Sequence, residues 1–376
     1  MRHACLGLAT VAAALFCAAP LSAQQPSDPD RFAGFPPIGV HRPGERTLKT
    51  ITSDGVTGLV RPKWTRAMGD LGAWPTMFRF KDGIYLEFQH TDGHRYKQFE
   101  ATGKVLYYVS KDEGRSWTLV PNDFGETTGE FVVAGEKLFR YDFEPLTHSR
   151  VRTSTDAVHW SEAVDIYKPP FFFWGVMYDP ASETFWAPPH AIPHKGVDPA
   201  RQIHLVRSKD GIQWDYVSTV APFNNCSESV LRFEPDRTMV VLVRRKYGST
   251  ASVMTAPPPY DAWTESTLPM IVEGEHFFEI GDQTFLASRA SYQGENAEVN
   301  ANPAIFDKRK SYSAIYHWTE DRQLAPWAVM DSMGDCSYPF LVETPTEILC
   351  AYYSQHEDGV CKVFLCGYDK AEFLAP

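Results

Sequence analysis

The sequence repeats one short turn-forming stretch at regular spacing. It appears as "SKDEGRSW" (Ser110–Trp117), as "STDAVHW" (Ser154–Trp160) and as "SKDGIQW" (Ser208–Trp214). The first residues of these stretches lie 44 and 54 positions apart. A repeat of this length is typical of proteins built from small sheets that stack or radiate, each with about four strands. The spacing therefore favours a repeated all-β architecture.

The residue types explain why such a stretch forms a tight turn. Serine and aspartate side chains accept hydrogen bonds from backbone N–H groups two or three residues further along. Gly114 and Gly211 are suited to a left-handed backbone because they have no Cβ atom. The final tryptophan is expected to place its indole under the turn and anchor it to the sheet. Weaker versions occur at "TAPPPYDAW" (Thr255–Trp263) and around residues 316–327.

Apolar or alternating runs lie between these turns. "GKVLYYVS", "RQIHLVRS" and "TMVVLVRR" are typical of β-strands. Residues 24–55 are proline-rich and polar, and we interpret them as an extended lead-in. At roughly 50 residues for each four-stranded blade, residues 56–376 predict an all-β, six-bladed β-propeller, with five or seven blades as alternatives.

The composition limits the partners of the chain. The 376 residues carry a formal net charge of −11, which argues against nucleic acid because a phosphate-binding surface needs an excess of basic residues. A local basic pocket for an acidic small ligand remains compatible with this charge. No segment beyond residue 23 has 18 consecutive uncharged apolar residues, so we predict no membrane span.

Residues 1–23 have the pattern of an export signal. Arg2 and His3 precede the apolar run "LGLATVAAALFCAAP", and small residues follow before a cut after about Ala23. We therefore expect the mature protein to be secreted or periplasmic. Five cysteines would remain, and an odd number leaves at least one free thiol. We expect Cys226 and Cys336 to lie near each other, and a disulfide of Cys350 with Cys361 or Cys366 is the alternative pairing.

The repeated turns resemble the Asp-boxes of the sialidase (neuraminidase) superfamily. The stretches "GAWPTMFRFKDGIYLEFQHTDGH", "NNCSESVLRF", "VVLVRRKYG", "GDCSYPFLV" and "CAYYSQHEDG" are also similar to a bacterial group described as sialidase-like or exo-alpha-sialidase. The likeness covers most of residues 58–368. It implies an exported glycoside hydrolase that removes a terminal acidic sugar, which is sialic acid or a related keto-acid or uronic acid.

The resemblance also implies roles for individual residues. Glu228 in "CSESVL" matches the base that activates the nucleophile, and Tyr338 in "GDCSYPFL" matches that nucleophile. Arg244 and Arg289 match the second and third arginines of the triad that holds the substrate carboxylate. Glu357, 19 residues after Tyr338, falls where a late glutamate would steady the first arginine.

The N-terminal part matches the group less closely. We assign the first arginine to Arg66, with Arg61 as the alternative, and the acid/base to Asp92. Gln89 stands where many members of the group have an arginine. His90 and His94 flank this region, and we include both among the candidate substrate-binding residues.

These residue types fit the chemistry of an acidic sugar. The substrate's own carboxylate repels a carboxylate nucleophile but not a neutral tyrosine, which needs a base because its ordinary pKa is about 10. Guanidinium groups bind carboxylates bidentately and stay charged. Two alternatives remain: a propeller that binds glycans without cleaving them, and a lyase-type propeller that uses tyrosine with His90, His94 or His190. We expect no organic cofactor and no metal site.

Overall fold

A computed structural model describes residues 59–93, 102–144, 148–168, 170–191, 202–221, 225–245, 249–291, 311–332, 334–357 and 359–375. Within these ranges the strands form six antiparallel sheets. Strand β1 (Trp64–Ala67) comes first. Sheet 1 contains β2 (Ala73–Phe80), β3 (Gly83–Gln89), β4 (Val105–Ser110) and β5 (Thr118–Leu119). Sheet 2 contains β6 (Glu130–Ala134), β7 (Lys137–Glu144), β8 (His148–Ser154) and β9 (Val164–Ile166).

Sheet 3 is less regular, because its first two strands are each split in two. It contains β10 (Phe171–Phe172), β11 (Met177–Asp179), β12 (Thr184–Ala187), β13 (His190–Ala191), β14 (Ile203–Ser208) and β15 (Asp215–Ala221). Sheet 4 contains β16 (Cys226–Phe233), β17 (Met239–Arg245), β18 (Ser252–Ala256) and β19 (Thr264–Thr267). Sheet 5 contains β20 (Ile271–Ile280), β21 (Gln283–Ser291), β22 (Ser311–Trp318) and β23 (Leu324–Val329).

The last sheet joins the two ends of the described chain. Sheet 6 contains β24 (Ser337–Glu343), β25 (Glu347–Ser354) and β26 (Lys362–Asp369), and β1 is its outer strand. Trp64 pairs with Gly367 in this register, and only a residue without a side chain leaves room there for the Trp64 indole. The first strands of the sheets contact one another around a ring. The six sheets therefore form a six-bladed β-propeller, as predicted.

The repeated turns connect the third and fourth strands of sheets 1, 2 and 3. In the first turn, the Gly114 N–H donates to Ser110 Oγ at 2.8 Å and the Ser116 N–H donates to Asp112 Oδ1 at 2.8 Å. Gly114 has a φ of 82°, and the indole of Trp117 is buried and donates to the Gly114 carbonyl at 3.1 Å. The hydrogen bonds expected from the sequence are thus present, and the turn residues fix the outer strand to each sheet.

The hydrophobic core lies between neighbouring sheets. One cluster joins Val230 and Leu242 of sheet 4 to Leu286 and Tyr316 of sheet 5, and equivalent clusters fill the other described junctions between consecutive sheets. Because successive side chains point to opposite faces of a strand, each blade buries both of its faces against the neighbouring blades. This packing fixes the angular positions of the first strands, which surround the central axis.

Sheets 1 and 2 are also joined by buried charges. Arg140 on β7 is fully buried and donates from Nε to Glu87 Oε2 at 2.9 Å. It also pairs with Asp142, and its guanidinium carbon lies 4.1 Å from the centre of the Phe124 ring. A buried charge is tolerated when its partners are in place, so this network couples the positions of the two blades.

The expected signal peptide (1–23) and lead-in (24–55) lie outside the described residues. Among the residues described, the only helix is α1 (Lys370–Leu374), and no helix is long and apolar enough to cross a bilayer. Five cysteines are buried and form no disulfide bond with one another: Cys226, Cys336, Cys350, Cys361 and Cys366. The pairings left open by the sequence are therefore not formed, although Cys350 and Cys366 are direct cross-strand neighbours.

Candidate active site

Several first strands begin with an irregularity that changes the direction of their side chains. The ladder is interrupted after Ala73 in β2, after Cys226 in β16, after Glu273 in β20 and after Ser337 in β24. Inside these interruptions Trp74, Gly274 and Tyr338 have φ values of 54°, 60° and 51°. A positive φ costs energy for a bulky residue and occurs where the surroundings enforce it, often at functional sites. Tyr338 is therefore held in a strained backbone position.

The strained tyrosine contacts a glutamate from another blade. The Tyr338 hydroxyl on β24 donates to Glu228 Oε1 on β16 at 2.8 Å, although the two residues are 110 positions apart. Burial raises the pKa of the Tyr338 phenol well above 10, and the neighbouring Glu228 charge raises it further. Burial alone would also raise the pKa of Glu228, but the charge and hydrogen bond of Arg244 lower it to about 2. The pair is thus a neutral phenol bonded to an ionised carboxylate.

Two arginines from second strands lie beside this pair. Arg244 on β17 donates to Glu228 and, from Nη2, to Glu273 Oε1 at 2.7 Å. Arg289 on β21 donates from Nε to Glu273 Oε2 at 2.8 Å and from Nη1 to the Cys336 carbonyl at 3.4 Å. Burial would lower the pKa of both guanidinium groups, but the adjacent carboxylates raise it. Both arginines are therefore charged at any working pH.

Aromatic rings surround Tyr338. The ring of Trp174 stands edge-on at 5.2 Å between centroids, and the ring of Tyr353 stacks at 6.1 Å. The Tyr353 hydroxyl donates to Asp335 Oδ1 at 2.7 Å, and that oxygen lies 3.7 Å from Arg289 Nη1. The aromatic stretch "FFFWG" thus contributes Trp174 to the site. Flat apolar faces of this kind favour contact with a sugar ring.

A contact across the central axis lies next to the site. His276 Nε2 on β20 is 3.1 Å from Glu130 Oε1 on β6, and both side chains are mostly buried. The same carboxylate accepts hydrogen bonds from the Gly175 and Val176 N–H groups at 2.9 and 3.0 Å. The His276 ring packs against Phe340 at 4.1 Å. These contacts tie sheets 2, 3, 5 and 6 together directly beside Tyr338 and hold its blade in place.

Glu275 is a further carboxyl group in this region. It is fully buried, and neither of its carboxyl oxygens has a hydrogen-bond partner. Burial raises its pKa well above the ordinary value, and the nearby Glu228 charge adds to the effect. The surroundings of Glu275 therefore favour its neutral acid form beside the charged cluster.

The loop after β3 borders the cluster. Asp92 is fully buried, and its Oδ1 accepts a hydrogen bond from the Cys361 N–H at 2.6 Å. The adjacent Gly93 packs so closely against Asp335 and Cys361 that a side chain would not fit. Since Asp335 lies beside Arg289, the structure brings Asp92 to the rim of the site.

The other candidates from this region lie further out. Gln89 donates to the carbonyls of Gly103 and Glu126, and so holds the local loop. His90 Nδ1 accepts a hydrogen bond from the Thr102 N–H at 3.2 Å, and burial lowers the pKa of its imidazole. His94 lies outside the described residues.

Arg66 and Glu357 have partners other than those that the resemblance implies. Arg66 lies on β1, the outer strand of sheet 6, and its guanidinium donates to the carbonyls of Gly114 and Arg115 in the first repeated turn. It supports that turn and does not join Arg244 and Arg289; the alternative, Arg61, is exposed before β1. Glu357 pairs with Lys362 Nζ at 3.5 Å across the β25–β26 hairpin.

The sequence reasoning missed Glu273 and Asp335, whereas Trp174 lies in the aromatic stretch Phe171–Gly175, for which a sugar-stacking surface and packing between blades were the two interpretations. A signal for Glu273 was present, because "VEGEHF" puts a glycine inside a strand pattern, which often marks a bulge. His190, named among the alternatives, is buried on β13, and its charge favours the ionised form of Glu228. Within the described ranges, no group of three or more His, Cys, Asp or Glu side chains could hold a metal ion.

No protein-family model and no curated protein matches the sequence. Solved structures do match. A Trypanosoma rangeli sialidase in complex with 2,3-difluorosialic acid, described as a covalent intermediate, aligns with a TM-score of 0.54 and 10% identity over 81% of this chain and 54% of that chain. The phage phi92 endosialidase aligns with a TM-score of 0.57 and 9% identity over 81% of this chain and 68% of that one.

The comparisons define the class of fold. Trypanosoma rangeli sialidase in complex with the inhibitor DANA gives a similar result, with a TM-score of 0.56 and 11% identity over 79% of this chain and 55% of that chain. This chain therefore spans only about half the length of the sialidases from that organism. At identities this low the likeness shows the fold alone, which is a sialidase-like six-bladed β-propeller.

Proposed function

We propose that this protein is a glycoside hydrolase in which Tyr338 is the nucleophile and Glu228 is its base. The observation that carries the proposal is the 2.8 Å hydrogen bond from the Tyr338 hydroxyl to Glu228 Oε1. A nucleophile within hydrogen-bond reach of a base, with the base oriented by a third group, is the usual arrangement for covalent catalysis. Arg244 is that third group.

The reaction would proceed in two displacements. In the first, the Tyr338 oxygen bonds to the anomeric carbon, the bond from that carbon to the leaving oxygen breaks, and the phenol proton passes to Glu228. Asp92, as the general acid, gives a proton to the leaving oxygen. In the second, water attacks the same carbon and gives its proton to Asp92, while the bond to Tyr338 breaks and tyrosine recovers its proton from Glu228. This is the tyrosine variant of retaining hydrolysis.

The charges favour proton transfer only when the sugar reacts. Tyr338 has a raised pKa and Glu228 a pKa of about 2, so the proton stays on tyrosine in the free enzyme. As the bond to the anomeric carbon forms, the phenolic oxygen loses basicity and the proton moves to the glutamate. An unreactive resting state of this kind protects the nucleophile from other electrophiles.

Two substrate classes compete for this site. A terminal acidic sugar, either sialic acid or a related keto-acid or uronic acid, is supported by the presence of Arg244 and Arg289 beside Tyr338. A neutral sugar is supported by Glu273, which already bonds to both arginines. In either case the partner is a glycan. Because residues 1–23 have the pattern of an export signal, we propose that the enzyme meets it in the periplasm or outside the cell.

The test is hydrolysis of a panel of neutral and acidic aryl glycosides by wild type and Tyr338→Phe. We expect the variant to lose at least about 10³-fold in kcat/KM, because the covalent step is removed. Tyr368→Phe is a matched control, since Tyr368 is a fully buried tyrosine on β26 that contacts Phe373 and not the cluster around Tyr338, and its rate should be unchanged. A 2-fluoro glycoside should label the peptide that contains Tyr338, detected by mass spectrometry.

The outcomes separate the alternatives. Equal turnover by wild type and Tyr338→Phe would remove the tyrosine mechanism. Tight glycan binding by wild type with no turnover of any glycoside would favour the non-catalytic propeller. Formation of an unsaturated product from a uronic-acid polymer, followed at about 235 nm, would favour a lyase.

A further inference from the structure

Glu273 occupies the arginine pair in the way an external carboxylate would. Its two oxygens bond to different arginines, Oε1 to Arg244 Nη2 at 2.7 Å and Oε2 to Arg289 Nε at 2.8 Å. Its side chain is only 18% exposed. Charge-assisted hydrogen bonds to two guanidinium groups are the arrangement by which proteins bind a ligand carboxylate. Here a residue of the chain provides that carboxylate.

The backbone holds Glu273 in this position. Its N–H donates to Ser288 Oγ at 3.3 Å, and its carbonyl accepts hydrogen bonds from the Ser288 and Ser337 hydroxyls, each at 3.3 Å. The next residue, Gly274, has a φ of 60° and packs directly against Ser337 and the Tyr338 ring. A side chain at residue 274 would collide with Ser337 and crowd the Tyr338 ring, so the backbone beside Glu273 lies directly against the segment that carries Tyr338.

Glu273 fills the position at which a substrate carboxylate would bridge the two arginines. The two terminal nitrogens of Arg244 bond to Glu228 and Glu273, and its Nε is buried. Arg289 uses Nε for Glu273 and Nη1 for the Cys336 carbonyl. To bridge both arginines, an anionic sugar would have to displace Glu273 and leave a third carboxylate next to Glu228. Like charges placed side by side in a buried site are disfavoured.

We infer that Glu273 sets the substrate class of this site: its carboxylate fills the arginine pair, so the sugar cleaved at Tyr338 has no carboxylate on its anomeric carbon. This inference rests on the proposed function for the reaction itself, but the occupancy of the arginines does not depend on it. A neutral phenol remains a suitable nucleophile because Glu273 brings to the arginine pair the negative charge that a keto-acid sugar would bring. Glu273 thus replaces the substrate carboxylate in the electrostatics of the site.

The first experiment measures binding and needs no turnover. Glu273→Ala empties the arginine pair, so sodium acetate, compared with sodium chloride, should raise its melting temperature as the small anion fills the space. 2,3-Didehydro-2-deoxy sialic acid should bind Glu273→Ala at least about tenfold more tightly than wild type, the gain expected from one charge-assisted hydrogen bond. Glu279→Ala is the matched control, because Glu279 also pairs with an arginine, Arg232, and lies on the same strand. It should show neither change.

A second variant protects the test against misfolding. Glu273→Gln keeps the shape of the side chain but removes its charge, and its affinity for the didehydro sugar should lie between those of wild type and Glu273→Ala. Equal affinity in wild type and both Glu273 variants would overturn the inference. So would wild-type binding that is tighter than in the variants.

Turnover provides the second readout. Wild type should cleave neutral aryl glycosides faster than the aryl glycoside of sialic acid, and the ratio of kcat/KM between the two should fall at least about tenfold in Glu273→Ala. Efficient release of sialic acid by wild type, dependent on Tyr338, would overturn the inference and leave the hydrolase proposal standing. If wild type turns over no glycoside but Glu273→Ala binds carboxylates more tightly, the result would support Glu273 as the occupant of the arginine pair and count against the hydrolase proposal.

Discussion

The ionised state of Glu228 makes a prediction about stability that needs no substrate. Its folded pKa is about 2 against an ordinary value of 4.5, a difference of roughly 2.5 units or about 3 kcal/mol. A carboxyl group with a lowered folded pKa stabilises the protein above its unfolded pKa, and this stabilisation is lost as the pH falls toward 2. Between pH 7 and pH 3 wild type should lose about 2 kcal/mol from this group alone.

The assay compares wild type with Glu228→Gln by urea unfolding at constant ionic strength. The difference in unfolding free energy between the two proteins should be constant from pH 7 to about pH 5.5 and shrink by about 2 kcal/mol by pH 3. Other titrating groups cancel in this difference. Glu136→Gln is the control, since the Glu136 side chain is 92% exposed, and its difference from wild type should stay flat.

A flat difference curve for Glu228→Gln would refute the reasoning. It would mean that Arg244 does not hold Glu228 in its charged form in the folded protein. The proposed base would then lack its orienting partner, and the mechanism would lose its starting state. A curve that begins to fall near pH 4.5 but levels off just below it would place the folded pKa close to its ordinary value and lead to the same conclusion.

Three further changes test other parts of the structure. Arg140→Met strips Glu87 and Asp142 of their buried guanidinium and should cost about 3–5 kcal/mol in urea unfolding, whereas a loss under about 1 kcal/mol would contradict the coupling of sheets 1 and 2. Glu275→Gln should become more stable relative to wild type as the pH rises above about 4.5. The reason is that the folded pKa of Glu275 is raised, so wild type loses stability when the unfolded chain can ionise this group more easily than the folded protein. Equal slopes of melting temperature against pH in the two proteins would count against a neutral Glu275. Asp112→Ala removes bonds from the Ser116 N–H and hydroxyl and should cost about 1–2 kcal/mol by thermal unfolding, with no loss meaning that the turn is held by other contacts.

The architecture was predictable because its signals are local. Each repeated turn lies at the same place, between the third and fourth strands, and the weaker versions at 255–263 and 316–327 lie at that place in sheets 4 and 5. The closure of the ring was not predictable. The segment "WTRA" has no pattern that identifies an outer strand of sheet 6, because its partner β26 lies about 300 residues further on. The placement of Arg66 failed for the same reason.

The site was predictable only in part. Glu228, Arg244, Arg289 and Tyr338 were named from the resemblance, and the structure brings these four together. Their roles remain predictions that the proposed experiments test. Glu273 was missed because a glutamate at the start of a strand is usually exposed, and its burial follows from the bulge at Gly274 and from two arginines on other strands.

The position of Glu273 shows how a fold of this kind can change its ligand without changing its core. The starts of the first strands of sheets 4, 5 and 6 meet at the axis, so residues 110 positions apart share one pocket. The packing that holds the sheets lies further out, in the clusters between blades. Either a glutamate or a smaller residue at position 273 is therefore compatible with the same cores. The arginine pair is occupied when this residue is glutamate and open to a ligand when it is smaller. In the proposed mechanism, the charge at this single position consequently constrains the substrate more strongly than the likeness of the whole propeller to sialidases does.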